Sequence, residues 1–183
     1  MQKKINRNEV RIIYPTGEDG NLLRQASALI GLYAEMGLML KQSAETLMTF
    51  AAQGLLALAV DESENVVGTG AITFSYPNGF LEFGGWAIAS SHQKTGVGKE
   101  LFLDLLKKTK AKKIIAFGNS NSTPIFLKMG GKVLDQRKMH PNAFIPCQTC
   151  NCNGKEKLIG GQQCVDTIID LTPIVKKQKK GNN

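Results

Sequence analysis

No stretch of this sequence approaches the ~20 consecutive apolar residues that a membrane-spanning helix needs. The opening residues, Met1-Gln2-Lys3-Lys4-Ile5-Asn6-Arg7, carry charge but no apolar segment behind it. This argues against a secretory signal and makes a cytoplasmic protein the expectation. Aromatic residues are scarce, at 7% with a single Trp, and few stand among the basic ones. Stacking surfaces for nucleic acid therefore have little to be built from. Histidine is limited to His92, in a polar bend, and His140, before Pro141. Lone loop histidines are ordinarily surface residues. Acids are outnumbered, 15 Asp and Glu against 23 Lys and Arg, for a net charge of +8. That balance suits an anionic ligand or partner, and equally serves solubility alone.

At 183 residues the chain has the length of one domain with a substantial core. Residues 10 to 14 read as a strand ended by Pro15. Leu22, Ala26, Leu29, Ile30, Tyr33 and Met36 recur at helical spacing and predict an amphipathic helix over residues 20 to 36. Ser43 is placed to cap a second helix running to about residue 53. Strands follow over residues 55 to 60, 66 to 75 and 80 to 89, with Gly68 and Gly70 marking a bulge or a close approach. Val97, Leu101, Phe102, Leu105 and Leu106 then form the apolar stripe of a third helix. A strand at 114 to 117, a short helix at 123 to 129, and strands from 132 and 165 complete a domain set at residues 8 to 175. Residues 176 to 183, with four lysines, read as a basic, disordered tail. This order departs from regular βαβ alternation. The G-x-G at residues 96 to 98 also lacks the third glycine and the ribose-binding acid of a dinucleotide site.

The most informative stretch is residues 86 to 98, W-A-I-A-S-S-H-Q-K-T-G-V-G. A strand ends at Ala89, a bend follows, and a helix opens directly after it. The free N–H groups of a helix start and its dipole favour an anion there. Gly96 and Gly98 let backbone approach a phosphate, and Lys94 and Lys99 add positive charge. Gln93, Gly96 and Gly98, as Q-x-x-G-x-G in this frame, resemble the acyl-CoA pyrophosphate loop of the GNAT superfamily of N-acetyltransferases. The likeness extends upstream through residues 82 to 89, which are similar to the fourth strand of the histone-type members. It extends downstream to Asn119 and the Ile125-Phe126 turn.

The resemblance implies an α+β (α/β) fold with a mixed, mostly antiparallel sheet, flanked by helices and splayed between its fourth and fifth strands. It implies an acetyl-CoA co-substrate and acetyl transfer to a primary amine of a small molecule, peptide or protein. The pantetheine arm would be bound by backbone groups of Ala87, Ile88 and Ala89. The pyrophosphate would lie over Gln93, Lys94, Thr95, Gly96, Val97, Gly98 and Lys99. Asn119 and Phe126 fall at positions that contact the cofactor.

Glu82 is the candidate general base. It is an acid in an apolar strand, where burial raises a carboxyl towards a useful pKa. On a regular strand it faces the same side as Ile88. The histone-type enzymes place their glutamate at the matching position. A bulge at Gly84-Gly85 would change that facing. The general acid departs from the family. The tyrosine expected seven residues after the asparagine is Phe126 when counted from Asn119, and Lys128 when counted from Asn121. The thiolate then leaves without a protein acid, or with help from water or another residue, or the site is inactive.

The four cysteines are concentrated in Cys147-x-x-Cys150-x-Cys152 and Cys164. Cytoplasmic proteins rarely use structural disulfides, and four close thiolates suit tetrahedral zinc. Zinc would staple the long loop between the last two strands, which has little apolar content of its own. The expected function is therefore an acetyl-CoA-dependent N-acetyltransferase, as a monomer or homodimer. The alternatives are a non-catalytic acyl-CoA-binding module and, against the aromatic scarcity, a basic zinc module on nucleic acid.

Overall fold

The structure, a computed structural model, describes residues 9–109, 112–139, 142–143 and 167–180. The chain divides into two compact units, Met1–Thr73 with Gly84–Lys110, and Phe74–Phe83 with Ala111–Asn183. Seven strands hydrogen-bond in the order β1-β2-β3-β4-β5-β7-β6. The sheet is mixed and mostly antiparallel, flanked by helices, as the resemblance implies. No helix among the described residues is long and apolar enough to cross a membrane.

In the first unit, β1 (Val10–Ile13) pairs antiparallel with β2 (Leu56–Asp61), and β2 pairs antiparallel with β3 (Val66–Ser75). The run Leu56, Ala57, Leu58, Ala59 and Val60 is buried throughout. Such a continuous apolar strand needs cover on both faces. Leu56, Leu58 and Val60 pack with Leu23, Ala26, Leu29 and Ile30 of α1 (Gly20–Glu35) and with Leu47 and Ala51 of α2 (Ala44–Ala52). On the other face Ala59 pairs with Gly68, and a Cβ on Gly68 would meet Ile88, Ala59 and Leu101 of α3 (Val97–Thr109). All five residues of the α3 stripe are buried. Fully burying side chains of this size contributes about 1.5–3 kcal/mol each.

Local signals act as expected where they are strong. Ser43 caps α2, its hydroxyl accepting the Thr46 N–H at 3.3 Å. Val67 is the extra residue of a bulge, since Ala59 pairs with Gly68 but Val60 with Val66. A Cβ on Gly68 would lie 2.8 Å from Ile88 Cδ1, so the close approach is present too. The α1 stripe differs at both ends. Leu23 rather than Leu22 is fully buried, and Met36 is 65% exposed. The helix ends at Glu35, and the chain leaves through Gly37 at φ +70°.

The second unit holds the start of β4 (Leu81–Ile88), which runs on into the first unit. Leu81 and Glu82 pair in parallel with Ile114 and Ile115 of β5 (Ile114–Gly118). β5 and β6 (Lys132–Val133) each pair antiparallel with β7 (Thr167–Asp170). β6 is short, exposed and carries a lysine, which blunts it as a pairing edge. α4 (Ser122–Lys128) packs on β5, β6 and β7. Tyr76, Ile115, Met139, Ala143 and Ile168 form the unit's core cluster.

α5 (Thr172–Lys180) changes the reading of the chain end. The sequence suggests a disordered tail from residue 176, but the helix continues to Lys180. Asp170 Oδ1 accepts the Thr172 N–H at 2.9 Å and starts it, while Ile174 and Val175 are buried and anchor it. Lysines in the closing turns suit the helix dipole. Cys147, Cys150, Cys152 and Cys164 lie outside the described residues.

Candidate active site

The loop after β4 is built from a short 3₁₀ turn, Ser90–His92, and the start of α3. Two residues adopt left-handed backbone, Lys94 at φ +62° and Gly96 at φ +96°. The second is a glycine position by conformation, and the first is uncommon for a lysine. These reversals bring the chain to Val97, where the first-turn N–H groups of Val97, Gly98 and Lys99 precede the first intrahelical bond, Glu100 N–H to Gly96 O at 3.0 Å. Lys94 and Lys99 are exposed beside them. Helix-start N–H groups, the helix dipole and two exposed lysines are groups that attract anions.

Gly98 also has a packing role, which its spacing does not show. A Cβ there would lie 3.0 Å from Ile88 Cγ1 and 3.3 Å from Trp86 Cζ2. Trp86 also donates its indole N–H to Gly98 O at 3.2 Å. Gly98 therefore lets α3 close onto β4, whereas Gly96 shapes the loop. Thr95 is committed locally, its hydroxyl donating to His92 O at 2.7 Å. His92 is buried, not a surface residue, with Nδ1 2.9 Å from Ser91 Oγ.

At the end of β4 the backbone groups are already engaged. Tyr33 of α1 donates its hydroxyl to Ile88 O. Gln93 Nε2 donates to Tyr33 Oη at 2.8 Å and to Ile88 O at 3.2 Å. The Ala89 N–H donates to Val67 O at 2.8 Å. Ala87 is buried and packs with the α1 and α2 side chains. Helical spacing places Tyr33 only in an apolar stripe. Its hydroxyl role depends on α1 lying beside β4, which helical spacing does not reveal.

The pleat of β4 is interrupted at Gly85, which has φ +58°. Strict alternation from Glu82 to Ile88, the basis for one shared face, does not apply through that residue. Gln42, in the link between α1 and α2, has its Oε1 3.0 Å from where a Gly85 Cβ would be. This oxygen is buried with no hydrogen-bond partner among the described residues. Glu82 is half-buried, and its Oε2 accepts the hydroxyl proton of Tyr76. Nothing in the sequence pattern marks Tyr76 as a partner of Glu82. Its only local signal was a place directly before the turn at Pro77, Asn78 and Gly79.

Asn119 organises the entry to α4. Its Oδ1 accepts the N–H groups of Asn121 at 2.9 Å and Ser122 at 3.0 Å. Phe126 is 2% exposed and meets Phe83 edge-on, with ring centroids 6.1 Å apart. It is a core residue of the second unit. Lys128, the position reached by counting from Asn121, is exposed.

A family model for the acetyltransferase (GNAT) family matches residues 28–130. That is more than half of the chain, and the chain belongs to this family. No curated protein matches it at the level of sequence. Among solved structures it is similar to N-acetylglutamate synthase from Neisseria gonorrhoeae in complex with coenzyme A and N-acetyl-glutamate: TM-score 0.69, 17% identity, 92% of this chain but only 36% of that one. It is similar to a GNAT-family acetyltransferase from Staphylococcus aureus, with TM-score 0.61, 11% identity, 88% of this chain and 99% of that one. It is also similar to diaminobutyrate acetyltransferase from Paenibacillus lautus in complex with its substrate and coenzyme A: TM-score 0.58, 16% identity, 88% of this chain and 93% of that one. At these identities the likeness is one of fold.

Proposed function

We propose that the chain transfers acetyl from acetyl-CoA to a primary amine of a small molecule, peptide or protein. The observation that carries this is the Lys94 and Gly96 reversal, which precedes the open N-terminus of α3 at the end of β4. The pyrophosphate takes the first-turn amides with Lys94 and Lys99, and the pantetheine arm follows residues 87 to 89. Because Ile88 O is held by Tyr33 and Gln93, the arm competes with these side chains for that acceptor.

In the reaction the neutral amine attacks the thioester carbonyl carbon. The C–S bond breaks and the sulfur leaves as thiolate. As the C–N bond forms, the amine nitrogen becomes positive and gives up one of its protons to Glu82 as general base. The thiolate leaves without a tyrosine at position 126. A panel of amines and peptides, scanned for acetyl-CoA-dependent thiol release, tests the activity. A matched acceptor should give release that depends on both substrates.

A second reading, acyl-CoA binding without turnover, is favoured by the buried Phe126. Binding in calorimetry with no release across the panel would select it. The cysteine spacing supports zinc held by Cys147, Cys150, Cys152 and Cys164. Elemental analysis of protein prepared without chelator should find about one zinc per chain, and finding none removes the proposal. A cytoplasmic monomer or homodimer completes the reading, to be checked by light scattering.

A further inference from the structure

We propose that Tyr76 is a positioning residue that holds the Glu82 carboxylate in its working orientation. This rests on the reading of Glu82 as the base. Tyr76 lies one residue past β3, and its backbone closes the turn into β4. Its N–H donates to Phe80 O at 2.8 Å, and its carbonyl accepts the Gly79 N–H at 2.9 Å. The ring is 4% exposed and packs with Ile115, Met139, Ala143 and Ile168. Phe74 stands 4.7 Å away, centroid to centroid, tilted by 46°. A side chain so fixed presents its hydroxyl at one place, and there it donates to Glu82 Oε2. Glu82 itself sits at the start of β4, in register with Ile115. A glutamate on a strand otherwise samples several rotamers. The hydroxyl selects among them, and it favours the charged carboxylate over the neutral acid.

The Lys113 ammonium lies 5.4 Å from the centre of the Phe80 ring. Asp170 is two strands across, aligned through Ile115, and its Oδ1 accepts the Thr172 N–H. Arg137 is closed onto Asp135. Tyr76 is a group placed to set both the direction of the Glu82 lone pairs and the pH at which they become available.

The test is Tyr76→Phe, which keeps the ring and its packing and removes only the hydroxyl. Carbon-detected NMR of the full chain, labelled at glutamate carboxyls, follows Glu82 against pH, with the signal assigned by its loss in Glu82→Gln. The midpoint should move up in Tyr76→Phe. With an acceptor from the amine panel, kcat should fall about tenfold, and the rising pH limb should move up with the NMR midpoint. Acetyl-CoA affinity by calorimetry should stay unchanged. Glu82→Gln combined with Tyr76→Phe should lose no more than Glu82→Gln alone. An unmoved midpoint in the folded Tyr76→Phe protein overturns the proposal. A moved midpoint with a wild-type rate in Glu82→Gln instead overturns the base reading, leaving the hydrogen bond as structure without catalytic consequence.

Discussion

The two ends of β4 present different parts of the residue. Its last residues and the loop beyond present backbone: amides at the start of α3, the Ile88 carbonyl, and turns at Lys94 and Gly96. Its first residues present a side chain, Glu82, held by another side chain, Tyr76. A backbone site tolerates many side chains but few changes of conformation. A side-chain site tolerates backbone variation poorly too, and in addition depends on one functional group. The contrast explains why the loop is identified by glycines and spacing, while the acid has to be judged by its surroundings.

The strongest way to break this contrast is Glu82→Gln. A general base contributes ~100- to 10,000-fold, so kcat should fall by that order in steady-state assays with a verified acceptor. Acetyl-CoA affinity should hardly move if the cofactor is held, as proposed, at the other end of the strand. A variant within a few-fold of wild type removes Glu82 from the mechanism. The converse change is Gly96→Asp, which should abolish measurable coenzyme A binding in calorimetry. It places a carboxylate against a phosphate and asks a side chain to adopt φ +96°, a strain of ~1–2 kcal/mol by itself. Unchanged affinity in a folded variant would rule out this loop as the phosphate site.

Gly98→Ala sharpens the comparison, because this glycine serves packing. The added methyl meets Ile88 Cγ1 at 3.0 Å. Overpacking of this kind costs about 1–3 kcal/mol, which denaturant unfolding should detect. Coenzyme A affinity should change less in Gly98→Ala than in Gly96→Asp, and equal losses would mean that both glycines shape the loop. The smallest effect is expected from Tyr33→Phe. Removing the hydroxyl frees one claim on Ile88 O, and a net hydrogen bond is worth ~0.5–1.5 kcal/mol. Affinity for coenzyme A should tighten by a few-fold in calorimetry. A loss instead would show that Tyr33 supports the strand end rather than competing for it.

Legibility followed the range of the interactions. The Ser43 cap, the α3 stripe and the β2 run were readable because their periods and neighbours lie within one turn or one strand. The Q-x-x-G-x-G loop was readable for the same reason, being a local strand, bend and helix start. Tyr33, Gln42 and Tyr76 were not. Tyr33 and Gln93 meet across 60 positions of chain, and Ser27 fixes the Gln42 carbonyl at 2.8 Å from 15 positions away. Counted from Asn119, Phe126 departs from a functional tyrosine, and its burial against Phe83 gives it a packing role that spacing does not carry.

By itself, then, the sequence determined the order of helices and strands from β1 to β7 and the local strand, bend and helix start around Gly96. Those depend on local propensity, hydrophobic period and backbone freedom, all written in short windows of residues. Only the tertiary structure decided what each polar group faces. It assigned Gly98 to packing and Gly96 to conformation, broke the pleat at Gly85, engaged Ile88 O with Tyr33, and set the Tyr76 hydroxyl on Glu82. Hydrogen bonds are short and directional, so their partners are chosen by the final packing of distant elements, and no window of sequence contains that choice.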